Sequence, residues 1–201
     1  MLTTEAVPAA PEKALRVDAE RRRQALLCAA ASVFLTDGLD APLEDVARAA
    51  GVGIGTLYRR FPTRDALVEA VFEAKMADYA NRAEAAVIQA VEDPWAAFAG
   101  YVHDIIGMQV ADPAFGAVLL RPMQGSELFS GAHARALRAT RRLISRARKA
   151  GAVRQDLRET DLYLLVAATA ALVAEPGPIR ADAAARRMAQ LFLDAVRGSS
   201  V

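Results

Sequence analysis

At 201 residues the chain is long enough to bury a core, as one large domain or two small ones. Hydrophobic residues make up 54% and aromatic ones only 6%, with alanine abundant, which favours helix over sheet. The formal net charge of +1 carries no message in itself, so where charge clusters matters more; the one cysteine, Cys28, excludes an internal disulfide framework and fits a reducing cytoplasm.

The opening stretch MLTTEAVPAAPEK lacks the charged-then-apolar order of a signal peptide. The longest uncharged apolar run, Leu162 to Ala174, is too short to span a bilayer, so a soluble cytoplasmic protein is expected. Residues 1–17, with Pro8 and Pro11, read as a flexible arm whose Lys13 and Arg16 either brush DNA or stay in solvent. A first helix is predicted from about Asp18 to Asp37, with Ala25, Cys28, Ala29, Ser32 and Val33 as its apolar stripe and Gly38 as its stop. In that stripe Cys28 is a packing residue. Arg21 to Arg23 form either a solvated face or a phosphate contact.

Asp45 to Phe61, DVARAAGVGIGTLYRRF, reads as two short helices joined by a glycine turn. Val46, Ala47 and Ala50 share one apolar face, and Gly51 follows where a left-handed helix end is cheapest. Gly53 and Gly55 open the second helix, with Leu57 and Phe61 pointing inward and Thr56, Tyr58, Arg59 and Arg60 pointing out. From Val46 to Arg64 the charged residues are Arg48, Arg59, Arg60 and Arg64, with no Asp or Glu among them. A compact helix pair with a polar, aromatic and cationic outer face suits a helix-turn-helix that reads DNA.

The segment AGVGIGTLYRRFPTRDALVEAVF resembles the recognition segment of TetR-type (tetracycline-repressor-like) transcriptional regulators, whose usual form is AGVSxGTLYxHFxxKxxL. Upstream, RRRQALLCAAASVFLTDGL is similar to that family's first helix. The resemblance covers roughly Arg21 to Phe72 and says nothing direct about residues 90–201. Gly53 stands where the family has Ser, removing a hydroxyl cap and a phosphate donor. Arg60 replaces the usual His, Arg64 the usual Lys, and Ala41-Pro42 a Thr pair, Pro42 being compatible with a helix start. The resemblance implies that Gly55, Thr56 and Tyr58 approach phosphates and base edges. Ile54 would touch a thymine methyl, Arg59, Arg60 and Arg64 would supply charge, and Pro42, Leu43, Gly53 and Thr63 complete the expected DNA-binding residues.

Beyond Phe61, Pro62 forces a stop and Thr63 caps a fourth helix, about Arg64 to Val91, with Leu67, Val71, Ala74 and Asp78-Tyr79 along its apolar side. Asp93-Pro94 and Asp112-Pro113 are cap-then-proline starts of a fifth and a sixth helix, the latter reaching about Leu120 before Pro122. Gly125-Ser126 precede a seventh, about Glu127 to Ala150, closed by Gly151. On it Arg135, Arg138, Arg142, Arg146 and Lys149 form a basic stripe, read as a solvated face or a site for an anionic effector or further DNA, while Leu137, Thr140, Ile144 and Ala147 pack inward. The fifth helix concentrates aromatic and large apolar residues. Trp95, Phe98, Tyr101, Val102, Ile105 and Met108 either line a ligand cavity or only fill the core. His103 and His133 are ligand hydrogen-bonding candidates or ordinary half-buried histidines. Phe115, Leu119, Met123 and Gln124 complete the candidate effector set.

The last two helices, about Glu159 to Glu175 and Ala181 to Arg197, flank the breaker Pro176-Gly177-Pro178. The first is apolar almost all round and must be buried on several sides. Such a terminal hairpin is best explained by self-association, and it looks like the intersubunit four-helix bundle of TetR regulators. The expected interface is Leu162, Leu165, Val166, Thr169, Leu172, Val173, Met188, Leu191, Phe192 and Ala195.

No enzyme is expected: GVGIGT follows a helix and lacks the Lys-Ser/Thr of a phosphate loop, and no H-E-x-x-H or G-x-S-x-G is present. Neither a cofactor nor a metal is implied. The reading is an all-α homodimer of about nine helices: an arm (1–17), a helix-turn-helix domain (18–65) and a ligand-binding and dimerisation domain (66–201). Its expected function is a DNA-binding repressor that a small molecule releases from a palindromic operator. The alternative is a dimeric small-molecule carrier with a vestigial DNA-binding head.

Overall fold

A computed structural model describes residues 10–121, 127–174 and 180–198, with side chains from Val17 onward. Among the described residues it holds nine α-helices and no strand. They are α1 Ala10–Asp37, α2 Leu43–Ala49, α3 Ile54–Arg60, α4 Arg64–Gln89, α5 Pro94–Ala111, α6 Pro113–Leu119, α7 Glu127–Lys149, α8 Glu159–Ala174 and α9 Ala181–Val196. The chain forms two compact units, Met1–Leu67 and Val68–Val201, with the division inside α4. The breakers at 122, 125–126 and 176–178 lie outside the described residues.

In the first unit, α1 starts eight residues before the expected Asp18. Pro11 occupies the first turn, where its missing N–H is no loss, and Glu12-Lys13-Ala14-Leu15-Arg16 are strong helix formers. Residues 10–17 are therefore helix rather than arm; residues 1–9 lie outside the described set. The buried face of α1 is also not the expected one. Leu26, Leu27, Ala30 and Phe34 are buried, whereas Ala25, Ser32 and Cys28 are exposed, so Cys28 is not a packing residue. Two stripes about a quarter-turn apart compete on this helix. The one with two leucines and a phenylalanine removes more apolar area from water than one built of alanine, cysteine and serine.

Against Leu26 and Phe34 stand Leu43, Val46 and Ala47 of α2, Leu57 of α3, Phe61 and Leu67, all buried. The turn from α2 to α3 closes with Val52 N–H on Ala47 O (3.0 Å) and Gly51 N–H on Arg48 O (3.1 Å). This is a Schellman cap, and Gly51 takes the positive φ of +65° that it needs.

In the second unit, the buried face of α4 is Phe72, Met76, Tyr79, Ala80, Ala83 and Ala86, with Ala90 buried just past its end. Ala74 and Asp78, expected inward, are exposed, because the larger Phe72 and Met76 set the helix phase. Asp93 caps α5 by accepting from Ala96 N–H at 2.9 Å, with Pro94 following, and Asp112 caps α6 on Phe115 N–H at 3.2 Å, with Pro113 following. Phe98, Tyr101, Val102, Ile105 and Ile106 of α5 form the centre of this unit with Phe115, Phe129, Leu143 and Ile144. On α8, Leu162, Leu165, Val166 and Thr169 are buried while Tyr163, Leu164 and Leu172 are exposed. Helix α9 buries Ala185, Ala189, Leu193 and Val196 and exposes Leu191. After α9 the backbone pairs with the α7–α8 connection in one antiparallel bridge, Val153 with Arg197. Its bonds are Arg154 N–H to Val196 O (2.9 Å) and Gly198 N–H to Ala152 O (3.0 Å).

Candidate nucleic-acid interface and ligand cavity

The outer surface of α3 carries Gly55, Thr56, Tyr58, Arg59 and Arg60 side by side and exposed, with Ile54 half-buried at its start. Leu57 alone among the described α3 side chains is buried, so one anchored leucine orients the whole seven-residue helix. Gly53 precedes it in an extended conformation and provides no side-chain cap, as its lack of a hydroxyl dictates. Pro42 is exposed just before α2. Thr63 is exposed and caps α4, accepting from Ala66 N–H at 3.1 Å.

Three of the expected contacts have other occupations. Leu43 is only 4% exposed, so its side chain belongs to the core and offers nothing to DNA. Arg64 is half-buried and donates from Nη1 to the carbonyls of Leu39 (2.8 Å) and Ala41 (2.6 Å), bracing the turn between α1 and α2. Arg60 donates to the carbonyl of Ala19 at 3.3 Å across to α1. Arg48, though exposed, pairs with Asp45 at 2.6 Å, one turn earlier on α2. Arg59 and Tyr58 thus stand foremost on this face.

A separate cavity of about 80 Å³ lies within the second unit. Tyr79 lines it from α4, Tyr101 and Ile105 from α5, and Leu119 from the end of α6. From α7 come His133, Leu137 and Thr140, and from α8 Glu159, Leu162, Tyr163 and Val166. Its polar element is a chain of buried hydroxyls. Tyr79 Oη and Tyr101 Oη are 3.1 Å apart, Tyr101 Oη and Thr140 Oγ1 2.5 Å, and Thr140 Oγ1 and Ala136 O 2.9 Å. Burial raises the phenol of Tyr79 above its ordinary pKa of 10.0 and that of Tyr101 well above it, so both keep their protons. Desolvation lowers His133 below 6.5 and favours the neutral ring. Glu159 is held low by the Arg141 guanidinium, which grips both carboxylate oxygens, the Nη2–Oε1 contact at 3.0 Å.

Of the expected effector residues, Tyr101, Ile105, Leu119 and His133 converge here. The others do not. Phe98 and Val102 are fully buried core. Phe115 sits behind Tyr79 in an aromatic cluster, edge-on at 6.3 Å and 6.1 Å from Phe72. Trp95 packs on Phe98 and under the Arg197 guanidinium, 4.8 Å from its ring centre, away from the cavity lining. His103 is exposed and Met108 half-buried, neither lining the cavity. Met123 and Gln124 lie outside the described residues. Tyr79, Leu137, Thr140, Glu159 and Tyr163 line the cavity without being among the expected effector residues; the sequence marked Tyr79, Leu137 and Thr140 only as inward-facing helix positions.

The expected dimer residues divide in the same way. Leu162, Leu165, Val166 and Thr169 are buried inside the protomer, Leu162 and Val166 against the cavity. Leu172, Leu191 and Ala195 are exposed, and Val173, Met188 and Phe192 are half-buried. The sequence marked an all-apolar helix without telling which side met its own chain; Leu164, 63% exposed, lies on the other side.

Residues 26–71 match the family described as bacterial regulatory proteins of the tetR family, and residues 93–198 match the SbtR-like transcriptional regulator C-terminal domain. A crystal structure of a TetR transcriptional regulator from Streptomyces coelicolor is 34% identical, with a TM-score of 0.52, over 89% of this chain and 99% of that one. FadR of Bacillus subtilis, in complex with stearoyl-CoA, shares the fold at 16% identity and a TM-score of 0.60, over 87% and 100% of the two chains. SmeT, the repressor of the multidrug efflux pump SmeDEF of Stenotrophomonas maltophilia, does so at 18% and 0.60, over 89% and 91%. No curated protein sequence matches the chain.

Proposed function

The chain belongs to the TetR family of transcriptional regulators, and from that premise we propose that it is a homodimeric repressor whose α3 reads an operator and whose second-unit cavity takes a releasing small molecule. The observation that supports operator reading most directly is the exposed Thr56, Tyr58, Arg59 and Arg60 on a helix anchored by buried Leu57. Hydroxyl, phenol and guanidinium groups on one short helix reach phosphates and base edges together, and a two-fold dimer presents two such helices about 34–36 Å, one DNA turn, or a multiple apart. Tyr79 of the cavity lies on α4, the helix that begins with Arg64. An effector with different affinities for two positions of α4 therefore shifts the population of the DNA-binding form. Ligand-bound FadR and the efflux-pump repressor SmeT show that relatives of this fold include a stearoyl-CoA complex and a repressor. Among the described residues no helix is long and apolar enough to cross a membrane.

The test is fluorescence anisotropy on the DNA upstream of the protein's own gene, across a salt series. A palindromic site should be bound by the dimer. Arg59→Ala should weaken binding and flatten the logarithmic salt slope by about one unit, since one phosphate fewer is neutralised. An unchanged affinity and slope in Arg59→Ala would move the interface off α3.

A further inference from the structure

We propose that the cavity's effector is an uncharged, mainly apolar molecule carrying a hydroxyl or carbonyl group. This rests on the reading of the cavity as the effector site. The lining has no lysine or arginine. An anion entering it would meet the Glu159 carboxylate and find no guanidinium or ammonium to replace its lost hydration. A cation fares little better, because Glu159 already holds Arg141 through both carboxylate oxygens. What the interior does offer is neutral hydrogen bonding. Tyr79 ends the hydroxyl chain through Tyr101 and Thr140, so it has either a proton or a lone pair left for a ligand oxygen. His133, kept neutral by desolvation, has one donor and one acceptor nitrogen.

A second observation points the same way. Gln109 Oε1 and Thr169 Oγ1 are buried and have no hydrogen-bond partner among the described residues. Gln109 donates from Nε2 to Val166 O at 3.0 Å, and Val166 and Ile105, one turn from Gln109 on α5, line the cavity. Behind this apolar wall therefore stands the unused amide acceptor of Gln109; Thr169, three residues after Val166 on α8, carries an unused hydroxyl, and both groups are neutral. Buried polar atoms without partners are rare, and since neither residue lines the cavity, a ligand group reaches them only by parting the Ile105 and Val166 wall. The cavity of about 80 Å³ is smaller than the roughly 150 Å³ void that holds benzene, so the effector must enlarge it. Leu137 and Tyr163, lining residues that are also exposed, are the side chains free to move without disturbing the core.

The experiment uses the full chain and probes of one size: benzyl alcohol, acetophenone, benzoate, benzylammonium and toluene, followed by ligand-detected NMR titration at neutral pH. Benzyl alcohol and acetophenone should bind at least about tenfold more tightly than either ion. Tyr79→Phe should weaken benzyl alcohol about fivefold while leaving toluene unchanged, a pattern that mere loosening of the fold does not give. Leu137→Trp, which fills the mouth, should abolish binding of benzyl alcohol and acetophenone. Benzoate or benzylammonium binding as tightly as benzyl alcohol overturns the proposal, as does failure of both benzyl alcohol and acetophenone to bind, or their undiminished binding to Leu137→Trp. If the neutral probes bind as expected yet leave operator affinity unchanged, the cavity's chemistry stands and its regulatory role falls. If a charged compound releases the operator and Leu137→Trp prevents it, the regulatory role stands and the uncharged class falls.

Discussion

Arg64 braces the turn between α1 and α2 through two backbone carbonyls, and its loss is chiefly a loss of folding free energy. Charge-assisted bonds to backbone carbonyls contribute about 1.5–3 kcal/mol, so Arg64→Ala should lower the melting temperature of the first unit. Arg59→Ala should leave that temperature in place, and differential scanning calorimetry of the two variants separates the roles. Sequence spacing grouped both arginines as DNA contacts because a pattern shows that a residue faces outward, not which carbonyl lies within its reach. Tyr79 and Tyr101 give a pH signature. Their folded pKa values are raised by burial, so the unfolded chain releases these protons first as pH climbs. Their stabilising contribution is complete below about pH 10 and declines above it, by about 1.4 kcal/mol per pH unit for each tyrosine. Alkaline unfolding monitored by circular dichroism should therefore be less steep in Tyr101→Phe than in the parent.

Helix starts and stops were the most legible elements, because each is written in two or three adjacent residues. Asp93-Pro94, Asp112-Pro113, Gly51 and Gly151 all do what their local chemistry requires; Gly151 takes a φ of +70° at the end of α7. Helix faces were less legible in α1 and α4, where alanines supply apolar periodicity on every side and the few large residues decide the phase. The closing bridge between Arg154, Val196, Ala152 and Gly198 had no signal, since it joins segments more than forty residues apart. A Cβ on Gly198 would stand 1.9 Å from Gly151 O, so Gly198→Ala cannot keep this geometry. The chain after α9 can lift away more easily than α7 can move, which limits the loss to the bridge bonds, about 1–2 kcal/mol. Hydrogen exchange should show faster exchange at the Arg154 amide, with the α7 and α8 amides unchanged.

At the scale of the molecule, the cavity could not be read from any one helix: Tyr79, Tyr101, Thr140 and Leu162 belong to four different ones. The proposed self-association is written in the sequence as excess apolar surface but not as a face. Tyr163, Leu164, Leu172 and Leu191 are the large apolar side chains that α8 and α9 leave exposed among the described residues. Leu164→Glu and Leu191→Glu should each yield folded monomer by sedimentation velocity, because a charge facing a partner's apolar surface opposes association. Leu165→Glu should instead destabilise the fold itself by about 4 kcal/mol or more, since Leu165 is 5% exposed within its own chain. Folded dimer in both exposed-site variants would place the interface elsewhere.

The far half of α4 meets its neighbours with Ala80, Ala83 and Ala86, a nearly smooth surface without large side chains to interlock. Its position is set by long polar tethers: Lys75 to Asp112, Arg82 to Asp104 at 3.6 Å, Arg135 to Glu84 at 2.7 Å, and Arg146 to the Val87 carbonyl. Mechanically, a smooth helix on flexible tethers is a slide, soft along its axis and stiff across it. Since the tethers are partly exposed charges, dissolved ions tune that softness. A salt titration of operator affinity therefore reads a spring constant as well as phosphate neutralisation, and the two separate only when the melting curve of the free protein is followed through the same salt series.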